Sequence, residues 1–352
     1  MASVPGSHYD VFVTTGQTAN FGVTSDPNSV RAAVSGEFNL EVVTNGNGTG
    51  SVATAPGYQG LAILAPDGRV LTAAHGDYGI VDNPGASDLI TLGDGNVSVG
   101  GASGDTILGG TGASQFIDAH LGHQSVVGGN GGNQMIWGGA GDTIQGGSGG
   151  NETIGGVAGN IIIGGAGNEF IDGSRGGQSI VGGIGGNETI WGGTGDTILG
   201  GSAGNETIGG AAGDTILGGA ANTFIDGGRG SQSIAGGSGN TTVWGGCGDT
   251  VQGASAGGTA MIAFGTGRGV GQGETLWDNG TTSGGNDTVV DFTQSIGDRI
   301  SLNAASDSPN SVLASATQGS SGDAVVHLSD GSSMTILGVP LASLTTSYFT
   351  TH

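Results

Sequence analysis

Between residues 138 and 156 the chain reads GGAGDTIQGGSGGNETIGG, so that single isoleucines, Ile144 and Ile154, recur between polar pairs and runs of glycine. The pattern continues as GGVAGNIII, GGAGNEFID, GSRGGQSIV and GGIGGNETIW, in units of about nine residues, several of them eight or ten long. Each unit joins a glycine-rich turn to a short β-prone run. Glycine permits positive φ and close approach of stacked turns, and the isolated aliphatic residue supplies one inward side chain per rung. The pattern predicts a chain that winds.

A longer period overlies the short one. Phe116, Phe170 and Phe224 are spaced by 54 residues, as are Asp118, Asp172 and Asp226, and Trp137, Trp191 and Trp244 by 54 and 53. Six short turns therefore make one super-repeat, whose first copy (HLGHQSVV at the place of SRGGQSIV and GRGSQSIA) is degenerate, as expected of a terminal repeat. With Ile inward, strand alternation puts Thr143, Thr197, Thr215 and Thr250 outside, with Thr153, Thr189 and Thr207 in the sister turns. The same parity turns Phe116, Phe170, Phe224, Trp137, Trp191 and Trp244 outward, as an assembly or ligand face.

The texture changes at both ends. Residues 1–84 carry alternating runs such as YDVFVTT and FNLEVVT between NGNG and PDG turns, and read as an N-terminal β cap. Residues 85–253 form the roll, and residues 254–352 a C-terminal β cap. The predicted fold is all-β: a parallel β-roll or β-helix solenoid with β-rich caps covering its open edges.

Composition sharpens this. The 352 residues include 82 glycines, 7 prolines and only 10% charged residues, without a collagen triplet. Six basic against 29 acidic residues give a formal net charge of −23, an unfavourable partner for nucleic acid or an anionic membrane and a favourable one for cations. Cys247 is the single cysteine, so no internal disulfide can staple the chain. The start MASVPGSHYD has neither the basic nor the apolar region of a cleaved signal, and no run of 18 apolar residues suggests membrane insertion.

The repeat resembles that of the RTX (hemolysin-type) calcium-binding proteins, whose nonapeptide is G-G-x-G-x-D-x-U-x. The resemblance covers roughly residues 86–253 and implies a β-roll with Ca2+ held between turns by Asp carboxylates. It carries the metal-ligand role to Asp105, Asp142, Asp196, Asp214 and Asp249, with Glu152, Glu169, Glu188 and Glu206 at comparable positions. Gln124, Gln178, Gln232 and Asn160 replace the carboxylate by an amide, which implies fewer ions than turns; without ions, amide and hydroxyl ladders would hold the turns. The tail GGNDTVVDFTQSIGDRISL resembles the C-terminal region of RTX proteins exported by the type I (ABC-transporter) route, with Asp287, Asp291 and Asp298 at its acidic positions.

The resemblance implies a secreted, extracellular or cell-surface protein, handled by ABC-type secretion machinery and folding in calcium outside the cell. The expected function is structural and non-enzymatic: self-assembly into a homo-oligomer or polymer, as a surface layer, fibre or biofilm matrix. A monomeric adhesin binding cell-surface polysaccharide or ice is the alternative. VLTAAHG around His75 looks like the histidine segment of trypsin-like proteases, but a triad also needs a placed Asp and Ser. His75 is expected in a turn.

Overall fold

The computed structural model describes five strands between residues 40 and 82, and residues 87–352 apart from 255–257, 265–272 and 278–284. The YDVFVTT run and the NGNG and PDG turns lie outside the described residues. The protein is nearly all β, built from parallel stacked coils. Contacts divide it into two compact units, Met1–Ile171 and Asp172–His352.

Each coil contributes one strand to each of two parallel sheets. In the first unit Ser125–Val127 pairs with Thr143–Gln145 and this with Ile161–Ile163, position for position at an offset of 18 residues. We call this the hydroxyl sheet, after its Thr and Ser. In the second, or amide sheet, Ser114–Ala119 pairs with Asn133–Gly138 and this with Asn151–Gly155. Two nine-residue units thus close one coil, and the 54-residue super-repeat is three coils.

Strand pairing of the same kind reaches upstream of residue 85. Leu40–Thr44 pairs with Gln59–Ile63, this with Tyr78–Val81, and Val70–His75 with Leu89–Leu92, all in parallel. The coil pattern therefore begins within the segment expected as a cap. His75 closes the strand Val70–His75 rather than lying in a turn.

The second unit stacks Ser179–Val181, Thr197–Leu199, Thr215–Leu217, Ser233–Ala235 and Thr250–Gln252 in its hydroxyl sheet. Its amide sheet carries Glu188–Gly192, Asn205–Gly209, Asn222–Asp226 and Thr241–Trp244. Parallel stacking continues past residue 253, through Ala260–Ala263 and Asn286–Val290 in one sheet and Thr275–Trp277 and Arg299–Leu302 in the other. An antiparallel pair, Asp323–His327 with Ser333–Pro340, then joins the amide sheet beside Asn286–Val290. A short helix, Pro309–Ser315, starts at Ser308, whose side chain accepts the Ser311 N–H in a capping box.

The core is a pair of aliphatic columns in each unit. Ile107, Val126, Ile144 and Ile162 line one wall of the first unit, and Ile117, Ile136, Ile154 and Ile171 the other, all essentially inaccessible to solvent. In the second unit Ile180, Ile198, Ile216 and Ile234 face Ile190, Ile208, Ile225 and Val243 in the same way. A β-branched side chain suits this place because it fills the pleat with little rotamer freedom to lose, and each burial is worth roughly 1.5–3 kcal/mol. Glycine is required where the turn reverses: Gly141 and Gly195, each one residue before the inward Asp, have φ of +75° and +77°.

Candidate functional site

Two features combine local chemistry with regular placement: the polar columns inside the coils and the two outer faces. The acidic residues proposed as metal ligands occupy the inside. Asp105, Asp142, Asp196, Asp214 and Asp249 are buried, as are Glu152, Glu169, Glu188 and Glu206. Alternation explains this, since Asp142 and Ile144, or Glu152 and Ile154, differ by two and share one side of the strand.

Both oxygens of these aspartates receive backbone amides. Asp142 Oδ2 accepts the Gly139 N–H at 2.7 Å within its own turn, and Oδ1 accepts the Gln124 N–H of the preceding coil at 2.8 Å. Asp196 takes the Gly193 and Gln178 N–H groups at 2.7 Å each, and its own N–H donates to Asp214 Oδ1 at 2.9 Å. Asp105, Asp214 and Asp249 repeat the arrangement through Ala102, Ala211 and Gly246. The carboxylate is thus a clamp: it closes its turn and ties that turn to the previous coil. Asn160 stands in the same column, where its Oδ1 takes the Asp142 N–H at 3.1 Å and its Nδ2 has no acceptor among the described residues.

Burial raises the pKa of Asp142, Asp196 and Asp214, opposed by the amide bonds that favour the charged form. Asp249 is pushed up to about 6, chiefly by burial.

The glutamates line the amide sheet from inside. Gly147 N–H donates to Glu152 at 2.6 Å, and Gly165, Gly183 and Gly201 donate to Glu169, Glu188 and Glu206. Glu206 also accepts the Thr223 hydroxyl at 2.9 Å. The second oxygens of Glu152 and Glu169 receive no donor among the described residues, and the two carboxyl groups meet between coils. Burial first, and then the Glu152 carboxyl beside it, hold Glu169 up at about 7.

At the C-terminal end Asp287 and Asp298 are buried, whereas Asp291 is exposed with φ of +61°. Asp298 accepts the Glu274 and Thr293 N–H groups at 3.0 and 2.7 Å, and Asp287 the Ala260 N–H at 3.2 Å. Among the described residues no three His, Cys, Asp or Glu side chains gather into a ready-made metal-ligand set. No helix among them is long and apolar enough to cross a membrane.

The strands of the hydroxyl sheet carry no charged side chain on their outer face between residues 125 and 252, whereas the amide sheet keeps Asp118, Asp172 and Asp226 half-exposed on its outer face. On the hydroxyl sheet of the second unit, Ser179, Thr197, Thr215, Ser233 and Thr250 form one row and Val181, Leu199, Leu217, Ala235 and Gln252 the next. Leu217 is 45% exposed, and Ile184, in the neighbouring turn, 73%. With Val181 and Leu199 they line a shallow groove of about 450 Å³. The first unit shows the same face with Ile161 and Ile163 exposed.

The amide sheet carries the predicted aromatics. Trp137, Phe170, Trp191 and Trp244 are exposed, and Phe116 and Phe224 half-buried. Trp137 lies across Gly155 of the next coil, where an added Cβ would stand 2.1 Å from the ring, and Trp191 lies likewise across Gly209, at 2.3 Å. Phe224 meets Trp244 edge-on with ring centres 5.0 Å apart. The periodic aspartates close turns: Asp118, Asp172 and Asp226 accept the N–H two residues ahead, from His120, Ser174 and Gly228.

No protein-family model, no curated protein and no solved structure matches this chain.

One row of the amide face was missed in the sequence. In the first unit Asn151 Nδ2 donates to Asn133 Oδ1 at 3.2 Å and Asn168 Nδ2 to Asn151 Oδ1 at 3.1 Å. In the second unit the ladder runs through Asn187, Asn205, Asn222 and Asn240 to the Thr259 hydroxyl. The recurring Asn three residues before the inward Ile, as at Asn151 and Asn205, was the available signal.

Proposed function

We propose that this chain is a non-enzymatic structural solenoid that associates with further copies of itself through its hydroxyl-sheet faces. The observation that carries the reading is the regular, uncharged pair of rows on that face, with Leu199, Leu217 and Ile184 exposed in the second unit. Copies of one face share the same strand repeat of about 4.8 Å, so side chains can interdigitate along the whole row. The strongly acidic chain would otherwise repel its copies, and sequestering carboxylates inside the coils removes that repulsion from the contact.

Export by the type I route to the cell surface or the surroundings is part of this proposal, supported by the similarity of the tail around Asp287, Asp291 and Asp298 to that of exported RTX proteins. A second reading, calcium-dependent folding and assembly, is favoured by the open oxygens of Glu152 and Glu169. Two buried carboxyl groups that face each other need either a proton shared between them or a cation.

Light scattering on purified protein, titrated with calcium from a chelated start, tests both. Growth into large particles that Leu199→Glu with Leu217→Glu abolishes supports assembly through the hydroxyl face. Growth that requires calcium and reverses with chelator supports the second reading as well. A particle that stays monomeric at every calcium and protein concentration refutes assembly.

A further inference from the structure

The amide face of the second unit has a chemistry different from that of the hydroxyl face. A groove of about 630 Å³ runs across its strands, lined by one row of Asn222, Asn240 and Thr259 and a second row of Phe224, Thr242 and Met261. This volume falls within the usual range for small-ligand clefts, roughly 300–1,000 Å³. Three observations define what it fits.

The first is charge. Among the described residues Glu206 is the one ionisable residue lining the groove, and its carboxylate is turned inward onto the Gly201 N–H and the Thr223 hydroxyl. An ionic ligand finds no counter-charge there, and an apolar one would bury the amide row. The second is the open valence of the ladder. Asn240 Nδ2 donates to Asn222 Oδ1 at 3.3 Å, and Asn240 Oδ1 accepts the Thr259 hydroxyl at 3.0 Å. A primary amide has two N–H donors and two acceptor lone pairs, so Asn222 and Asn240, which each give one bond and take one, keep a donor and an acceptor for a ligand. Donor and acceptor side by side on these two successive coils match hydroxyl groups, which are both at once. The third is the aromatic wall. Phe224 lines the groove, and Trp244, 54% exposed, packs edge-on against it. Such rings offer an apolar surface to the C–H face of a sugar while the amides reach its hydroxyls.

We infer that this groove binds a neutral, β-linked glycan lying along the coil axis. An extended glycan ribbon presents hydroxyls at regular intervals on its edges and C–H faces between them, which is the order of amides and rings on the sheet. The ligand site is on the face opposite in chemistry to the one proposed for assembly, so each can fail without the other.

Isothermal titration with cellohexaose and with chitohexaose, at fixed pH and salt, provides the test. Saturable binding of at least one is expected, weakened tenfold or more in Asn240→Ala and in Phe224→Ala and unchanged in Leu217→Glu. Circular dichroism checks the fold of each variant. If Phe224→Ala unfolds, Thr242→Arg, which fills the groove from an outward position, replaces it and is expected to block binding. Absence of saturable heat with both sugars overturns the inference. So does binding that survives Asn240→Ala and Thr242→Arg. Sedimentation in which Thr242→Arg converts dimers to monomers also overturns it, because the groove would then be covered by a second copy.

Discussion

Replacing Asp196 tests the idea that the inward aspartates are clamps between backbone turns. In Asp196→Ala the Gln178 and Gly193 N–H groups, held at 2.7 Å each, lose their acceptors at a buried position. Each unsatisfied buried donor costs roughly 1–3 kcal/mol. Relief of a buried charge, the same burial that raises the Asp196 pKa, offsets part of this. A net loss of about 2–4 kcal/mol is expected. Asp196→Asn keeps one acceptor and places an amide against the second donor, and Asn160 shows how such a residue sits, with one bond made and Nδ2 unpartnered among the described residues. About half the loss, roughly 1–2 kcal/mol, follows. Urea unfolding measures the totals, and amide hydrogen exchange reads the two N–H groups directly, with Gln178 and Gly193 exchanging faster than their neighbours in the alanine variant and Gly193 alone in the asparagine variant. An alanine variant within about 0.5 kcal/mol of the parent, or unchanged exchange at those amides, would refute the clamp. If chelating calcium from the parent protein reproduces the loss, the carboxylate holds an ion rather than the backbone.

The remaining predictions concern protons, core and face. Asp249 and Glu169 have folded pKa values raised to about 6 and about 7 from 3.8 and 4.5, so the folded state holds their protons more tightly than the unfolded chain. Their contribution is full below about pH 4 and is lost as pH rises through the folded values, at about 1.4 kcal/mol per pH unit and group. Denaturant midpoints between pH 4 and 8 check this, and Glu169→Gln should flatten the upper part of the curve. Ile216→Ala removes a fully buried rung and should cost about 2–5 kcal/mol in a chemical melt. Gly209→Ala should lift Trp191 from its seat, since the new Cβ would lie 2.3 Å from the ring, and shift tryptophan emission to longer wavelength with little change in circular dichroism.

Much of this protein follows from alternation and period alone. A single aliphatic residue per nine, between glycines that can turn, specifies a wound β chain with Ile144, Ile154 and their equivalents inside. The outward Phe170, Trp191 and Trp244 follow from the same period of two. So does the burial of Asp142 and Glu152, two residues from an inward Ile; the family resemblance assigned them to ions, although their parity already put them in the interior. What the chain could not specify locally is the closure of the coil at 18 residues, with offsets of 17 and 19 elsewhere in the stack. That closure places the Gln178 N–H against Asp196, Asn205 against Asn222 and Trp191 over Gly209. Each of these contacts joins residues about one coil apart, and a polar side chain in an isolated turn has only water to bond. The tertiary stack alone decides that its partner is the backbone, the amide or the ring of the next coil, because only there are those groups brought within hydrogen-bonding or packing distance and shielded from solvent.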